Sequence, residues 1–284
     1  MKFVLGKIKL YFPLLKSLQT ALLTITGIAG FMSARCPVIH WTTMIGLVAS
    51  LILTISGSTV LNMWYDHDID RVMDRTHHRP LAEGRIPLKN ALIFGIVLSV
   101  LGVLLGLGLS PLYGTILFAG IFFDVVVYTF WLKRRTCWSI VWGGIAGGMP
   151  VLAARALGTG TVDFVGILLS LSVLFWIPTH MLTFSMRYAR DYAAAKIPTF
   201  PSTYGDDITR KAIAASSIFA SGLVTYAAIL VEIREGFLHT LGVLSGGLMI
   251  FAFLVMIKPS SKLNFGLFKF ASLYMLVAML LLAI

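Results

Sequence analysis

The sequence predicts an all-α protein: a polytopic membrane bundle of about nine transmembrane helices around a central cavity, with cytoplasmic cap loops after helices 2 and 6. Three observations carry this expectation. Of 284 residues, 58% are hydrophobic and only 12% charged, against about 25% charged in a soluble domain. Apolar runs recur at the length of a bilayer crossing, about 20 residues. Finally, 20 of the 23 Lys and Arg residues fall on one side of the alternating loops. The composition excludes a soluble enzyme, a disordered tail and a nucleic-acid-binding module, although the net charge is +11 and the pI about 9.8. It leaves no room for a separate soluble domain, so residues 1–284 are expected to form one integral-membrane domain.

Apolar runs between charges place the spans near 17–34, 41–63, 91–109, 111–132, 138–157, 163–185, 212–231, 238–257 and 264–284. The first follows Lys2, Lys7, Lys9 and Lys16 and lacks a convincing small-residue cleavage site, so it reads as a retained helix rather than a signal peptide. With the N-terminus inside, one face receives the N-terminal lysines and the basic groups of 71–89, 133–135, 187–211 and 258–269. The other face receives only Arg35, Arg155 and Arg234. Positive residues gather on the cytoplasmic side of membrane proteins. The N-terminus is therefore expected inside and the C-terminus outside, in a prokaryotic cell membrane, with Cys36 and Cys137 on opposite faces and unable to pair. Most of the 26 glycines read as packing features, because small residues let membrane helices approach closely.

Chemistry gathers where the second span ends. Asn62, Asp66, Asp70 and Asp74 recur every four residues. On a continuing helix they would share one face, each about 6 Å above the last. Like charges at this spacing repel. A divalent cation with oxygen ligands relieves that repulsion, and Mg²⁺ suits a few carboxylates plus substrate phosphates. Arg71, Arg75 and Arg79 repeat at the same interval, and guanidinium groups match diphosphate oxygens. Charge balance alone fits a salt-bridged loop equally well. The start of the cluster inside an apolar run favours chemistry, since polar residues entering a span are functional candidates. Pro80 and Pro87 are expected to break the helix and shape a short cap. The loop after span six, Arg187 to Pro201, again mixes acid, base and proline on the same side. It suggests a second half of the same pocket, with Asp191 either a metal ligand or a partner of Arg187 or Arg190.

These segments resemble the UbiA-type intramembrane prenyltransferases. The pattern N-x-x-x-D-x-x-x-D matches Asn62, Asp66 and Asp70, and R-T-x-x-R-P-L matches Arg75, Thr76, Arg79, Pro80 and Leu81. Further matches point to the protohaem IX farnesyltransferase branch: Tyr128-Thr129, Leu132 to Thr136, Trp138, Gly143-Gly144, Pro150, then Trp176, Pro178 and His180. Asp191-Tyr192, Ala195, Ile197-Pro198 and Pro201 complete the set. The resemblance runs in register over about residues 10–210, and the last three spans match only in hydrophobicity. The chain departs from it at several points. Arg187 stands where most of the superfamily has the first acid of a second D-x-x-x-D, an acid that the haem branch also tends to lack. Lys16-Ser17-Leu18 replaces K-P-R, Cys137 replaces a proline, and Met149-Pro150 replaces P-P.

The resemblance implies that an allylic isoprenoid diphosphate loses diphosphate and the carbocation alkylates an acceptor. In the haem branch the donor is farnesyl diphosphate and the acceptor a vinyl group of protohaem IX, with water adding to give haem O. Its implied metal ligands for Mg²⁺ are Asp66 and Asp70, with Asn62 assisting and Asp191 a further candidate. Arg75, Arg79, Lys133 and Arg134 are candidates for the diphosphate, which Asp191 serves through metal or by orienting a base. His180, Trp176 and Tyr128 are candidates for the acceptor, each also readable as packing or a helix-to-helix hydrogen bond. Asp124, an acid inside span four, either pairs with a base or lines the pocket. Other acceptors (a quinone precursor, a lipid, a chlorin) stay open, as does a secondary transporter. The acids sit at one membrane edge beside arginines, without an inverted repeat, which disfavours a transporter.

Overall fold

The computed structural model describes residues 9–35, 40–258 and 260–284; Cys36 lies outside them. Every regular element among the described residues is helical. This follows from the composition, because a chain crossing lipid must satisfy its backbone polar groups within each segment. The spans are α1 (Ser17–Met32), α2 (Trp41–Tyr65), α4 (Leu88–Leu109), α5 (Pro111–Ile121, continued by a π-helical segment, Phe122–Leu132), α6 (Ser139–Thr159), α7 (Phe164–Arg187), α9 (Phe200–Leu230), α10 (Glu235–Ile257) and α11 (Ser261–Ala283). Two short helices, α3 (His67–Val72) and α8 (Ala189–Ala194), belong to the loops after α2 and α7. Eight helices are each long and apolar enough to cross a membrane. Lys9–Leu15 and α1 are long and apolar enough only when taken together, and they are bent by 47° to each other, with Lys16 in the left-handed region at the bend. The protein is a multi-pass integral membrane protein.

Each span packs on the next, and α11 packs back on α1, closing a ring. Contacts of α1 with α6 and of α7 with α11 cross its interior. Small residues make the seams. A side chain on Gly57 of α2 would strike the Ser99 backbone of α4, and one on Gly30 of α1 would strike the Val151 carbonyl of α6. Buried hydroxyls return to carbonyls of their own helix, as Ser50 does to Leu47 at 3.0 Å, or cross to a neighbour, as between Ser50 and Tyr113 at 2.7 Å. Such pairings keep polar atoms satisfied away from water.

The two cap segments meet. Ile69 and Met73 of the first pack with Ile197, Tyr192 and Ala195 of the second. The Arg75 backbone N–H donates to Asp191 Oδ2 at 3.2 Å. Both loops therefore cover one end of the ring, as their spacing in the sequence suggested. The opposite end is tied by Arg155 of α6, which donates to both Asp163 carboxylate oxygens and to Ser33. Asp163 also caps α7, accepting from Gly166 N–H at 2.9 Å.

Two sequence expectations are corrected. The helix carrying Asn62 does not continue through Asp74: it breaks at Asp66 (φ −88°, ψ 5°), α3 ends at Val72, and Met73 is extended (φ −84°, ψ 127°). Asp74 is thrown out to solvent, while Asp66 and Asp70 stay buried. The helix of span seven begins well before 212: it runs from Phe200, interrupted at Gly205. A Thr199–Ser202 capping box and Pro201 nucleate it, and Gly205 (φ 82°) kinks it. The polar residues 202–211 hid that start from a hydropathy reading.

Candidate active site

The site is built where the end of α2, α3, the π segment and the two caps converge. Asp66 is 4% exposed and Asp70 5%. Burying a carboxylate requires a cation or hydrogen bonds, and each has one. Lys133 Nζ donates to Asp66 Oδ2. Arg79 Nη1 donates to both Asp70 oxygens, at 2.9 and 2.7 Å, a charge-assisted contact. Burial works against the Lys133 charge, but Asp66 beside it outweighs that and holds its pKa above the ordinary lysine value. Arg134 forks onto Asp68 at 2.7 Å and lies 3.8 Å from Asp66 Oδ1. Its hydrogen bonds hold the Asp68 carboxyl below the usual range.

Asn62 sits one turn before Asp66, and the π segment fixes its amide at both ends. Its Nδ2 donates to Asp124 Oδ2 at 2.9 Å, and its Oδ1 accepts from Thr129 at 2.8 Å. The Thr129 hydroxyl also reaches the Asp124 carbonyl at 2.9 Å, and Ser58 donates to Asp124 Oδ2. The wider π turn aligns residues five apart, which is why Asp124 and Thr129 bracket one amide. Sequence reasoning left Asp124 open and missed Thr129 and Ser58. Their one signal was an acid four residues before the Tyr128-Thr129 pair in an otherwise apolar run.

The remaining candidates divide by position. Tyr128 and Lys133 line a cavity of about 50 Å³ with Tyr192 and residues 197–200 of the second cap. Asp191, buried, spends Oδ2 on the Arg75 backbone. Arg71 does not join the acids: its Nε donates to the Ala82 carbonyl at 2.8 Å and braces the first cap. Arg75 also stands apart, with its guanidinium 5.2 Å from the Tyr188 ring and 5.9 Å from that of Phe184. His180 lies deeper on α7 among Trp176, Phe184 and Phe268, at centroid distances of 5.3, 5.1 and 5.0 Å. Its buried Nδ1 has no hydrogen-bond partner. The Trp176 indole is tied to the Ala271 carbonyl at 2.9 Å, leaving its ring face to the histidine.

The donor set suits a hard divalent cation. Asp66 Oδ1 is buried and accepts no hydrogen bond. Among the described residues no three His, Cys, Asp or Glu side chains converge on one point. An ion there would need phosphate and water oxygens to complete its shell, as Mg²⁺ ordinarily does.

The description UbiA prenyltransferase family matches residues 23–282. Relatives called protoheme IX farnesyltransferase are similar over most of the chain. That of Methylobacterium nodulans is 36% identical over 282 residues, 95% of this chain and 86% of its own. That of Pyrobaculum neutrophilum is 38% identical over 217 residues, 76% and 78% of the two chains. Among solved structures, a digeranylgeranylglyceryl phosphate synthase superposes with a TM-score of 0.81 at 19% identity, covering 98% of both chains. A UbiA homologue from Archaeoglobus fulgidus bound to GPP and Mg²⁺ superposes at 0.68 with 15% identity, covering 96% and 99%. At these identities the structures speak for the fold.

Proposed function

The chain belongs to the UbiA prenyltransferase family, and from that premise we propose that it transfers farnesyl from farnesyl diphosphate to a vinyl group of protohaem IX. It is a prenyltransferase; the acceptor is read from the relatives that bear that activity in their name. The observation that carries the reading is the pair of buried carboxylates, Asp66 and Asp70, each held by a cation at one end of an apolar ring. Asp66, Asp70 and Asn62 would hold Mg²⁺, which when bound neutralises diphosphate charge. Arg79, Lys133 and Arg134 supply fixed positive charge to the leaving diphosphate, where pre-aimed charge counts most. Asp191 locks the second cap onto the first. Tyr128 faces Lys133 at 5.7 Å and presents a ring to the developing cation. The apolar spans keep water from the allylic centre. His180, with Trp176 beside it, would present an imidazole face to a flat acceptor. The caps, with the N-terminus, are assigned to the cytoplasm, and the C-terminus to the outside.

The test is turnover in membranes given Mg²⁺, farnesyl diphosphate and protohaem IX, with mass spectrometry of a farnesylated, hydrated haem. Product is expected with the wild type. It should fall by about 10²–10³ with Asp66→Ala, which removes charge stabilisation at the leaving group, and vanish with chelator. Diphosphate release only with a different acceptor would keep the prenyl transfer and overturn the haem assignment.

A further inference from the structure

Two guanidiniums flank one aromatic ring on the second cap. Arg75 Cζ lies 5.2 Å and Arg187 Cζ 5.8 Å from the centroid of Tyr188. Arg187 also lies 4.2 Å from the Phe265 ring, which Lys269 approaches at 5.0 Å. Among the described residues no carboxylate pairs with Arg75 or Arg187, and the buried Arg75 Nε has no hydrogen-bond partner. Like charges gathered on one ring repel, and a partly buried guanidinium without an acceptor is unfavourable. The arrangement lacks an anion.

Two anions are at issue, the diphosphate and carboxylates of the acceptor. The diphosphate side has its own cations: Arg79 on Asp70, and Lys133 and Arg134 at Asp66. Arg75 touches neither acid and lies instead over the aromatic wall of α7 and α11. That wall runs without interruption from Tyr188 to Phe184, His180 and Trp176, with Phe268 against His180 and Phe184. It is aromatic along its length, with successive α7 rings tilted by 28–33°, and has cations at its cap end alone. It matches a planar aromatic molecule that carries its carboxylates along one edge, and protohaem IX carries two.

We propose that Arg75 and Arg187 bind the carboxylate edge of the acceptor, with its ring plane along the Tyr188–Phe184–His180 wall. Arg75 thereby leaves the diphosphate set to which its motif assigns it. This rests on protohaem IX being the acceptor, and the experiment separates the two. Detergent-purified protein is titrated with protohaem IX and with its dimethyl ester, following the Soret band, and KM for farnesyl diphosphate is measured in parallel. The wild type should bind the diacid at least about tenfold tighter than the ester, as charge-assisted hydrogen bonds allow. Arg75→Gln and Arg187→Gln should each erase much of that preference while leaving ester affinity and the farnesyl diphosphate KM within about twofold. Arg187 is exposed, so its variant tests the idea even where Arg75→Gln folds poorly. Equal binding of diacid and ester by a wild type that prenylates protohaem overturns this proposal alone. A rise in the farnesyl diphosphate KM of Arg75→Gln, with haem affinity unchanged, does the same. Failure of the wild type to bind or prenylate protohaem overturns both readings.

Discussion

Asn62 shows what one side chain needs in order to serve a metal. Its amide can flip, and only the oxygen end is useful to a cation. Asp124 fixes the NH₂ end and Thr129 bonds the oxygen. Partners that orient a ligand typically matter by about 10–100-fold in metal affinity or activity. Asp124→Ala should therefore raise the Mg²⁺ concentration for half-maximal turnover by about that factor. The KM for protohaem should hardly move. An unchanged Mg²⁺ dependence in a folded variant would show that Asp124 only packs. The sequence made Asn62, Asp66 and Asp70 legible because a four-residue interval is a helical face. It could not show that the face ends at Asp66, since Asp74 continues the same interval and nothing local marks Met73 as extended. On the opposite side of the protein, Asp163 carries a pH prediction. Hydrogen bonds from Arg155 hold its carboxyl below the usual carboxylate range. The folded pKa is the lower one, so the stabilisation is present above the unfolded value and is lost as pH falls through the folded value. Asp163→Asn should cost about 2 kcal/mol at neutral pH, below the ~3–5 of a fully buried pair because Asp163 is partly exposed. Melting curves in detergent should show the variant and wild type converging only as the pH falls below the ordinary aspartate value, about 3.9.

At the scale of elements, apolar length located the spans and the seams between them decide their packing. Spans two to six were legible within a few residues because each is a run of apolar residues ended by charge, proline or glycine. The π segment was not legible: Phe122–Leu132 is as apolar as the α-helix before it, and the extra residue per turn is selected by what Asp124 and Thr129 must reach. Span seven was misplaced at its start for a related reason, because its capping box and polar first turns lie outside the apolar run. Crossings of helices are likewise set by single small residues. A Cβ at Gly30 would fall on the Val151 carbonyl, which is backbone and cannot swing aside. Gly30→Ala is therefore expected to force α1 from α6 and destabilise by about 1–3 kcal/mol, the usual range for overpacking. The same substitution at Gly222, with nothing near its Cβ, should be neutral or slightly stabilising through helix propensity. Thermal unfolding of the two variants in one detergent checks both; equal melting temperatures would mean that the α1–α6 seam has slack.

The whole molecule is a closed ring whose two ends differ in chemistry. Counting the bent Lys9–Met32 pair as one crossing beside the other eight would put the two ends of the described chain at opposite ends of the ring, and two contacts agree with that count. Lys9 lines a cavity with His78, Arg79 and Arg85 of the first cap, so the start of the described chain is at the cap end. Arg35, just past the first span, donates to the carbonyl of Ile284 at 3.3 Å, so the C-terminus is at the other. The sequence could not show this closure, because the last three spans carry no motif and their partners are set by packing. Tyr274 of α11 bonding Ser245 of α10 at 2.9 Å has no local signature. Geometry relates the ends to each other, and charge decides which end faces the cytoplasm. The cap end carries almost all the Lys and Arg, and such residues resist translocation. A fluorescent protein that folds only in the cytoplasm should therefore glow when fused after Lys196 or Arg135 and stay dark after Ile284. An alkaline phosphatase that needs an oxidising compartment should give the reverse pattern. Fluorescence at the C-terminal fusion with an active enzyme would mean that the whole ring is inverted, placing the diphosphate site outside. Fluorescence at both ends would remove one crossing, and the bent first span is the one whose length and charge make it vulnerable.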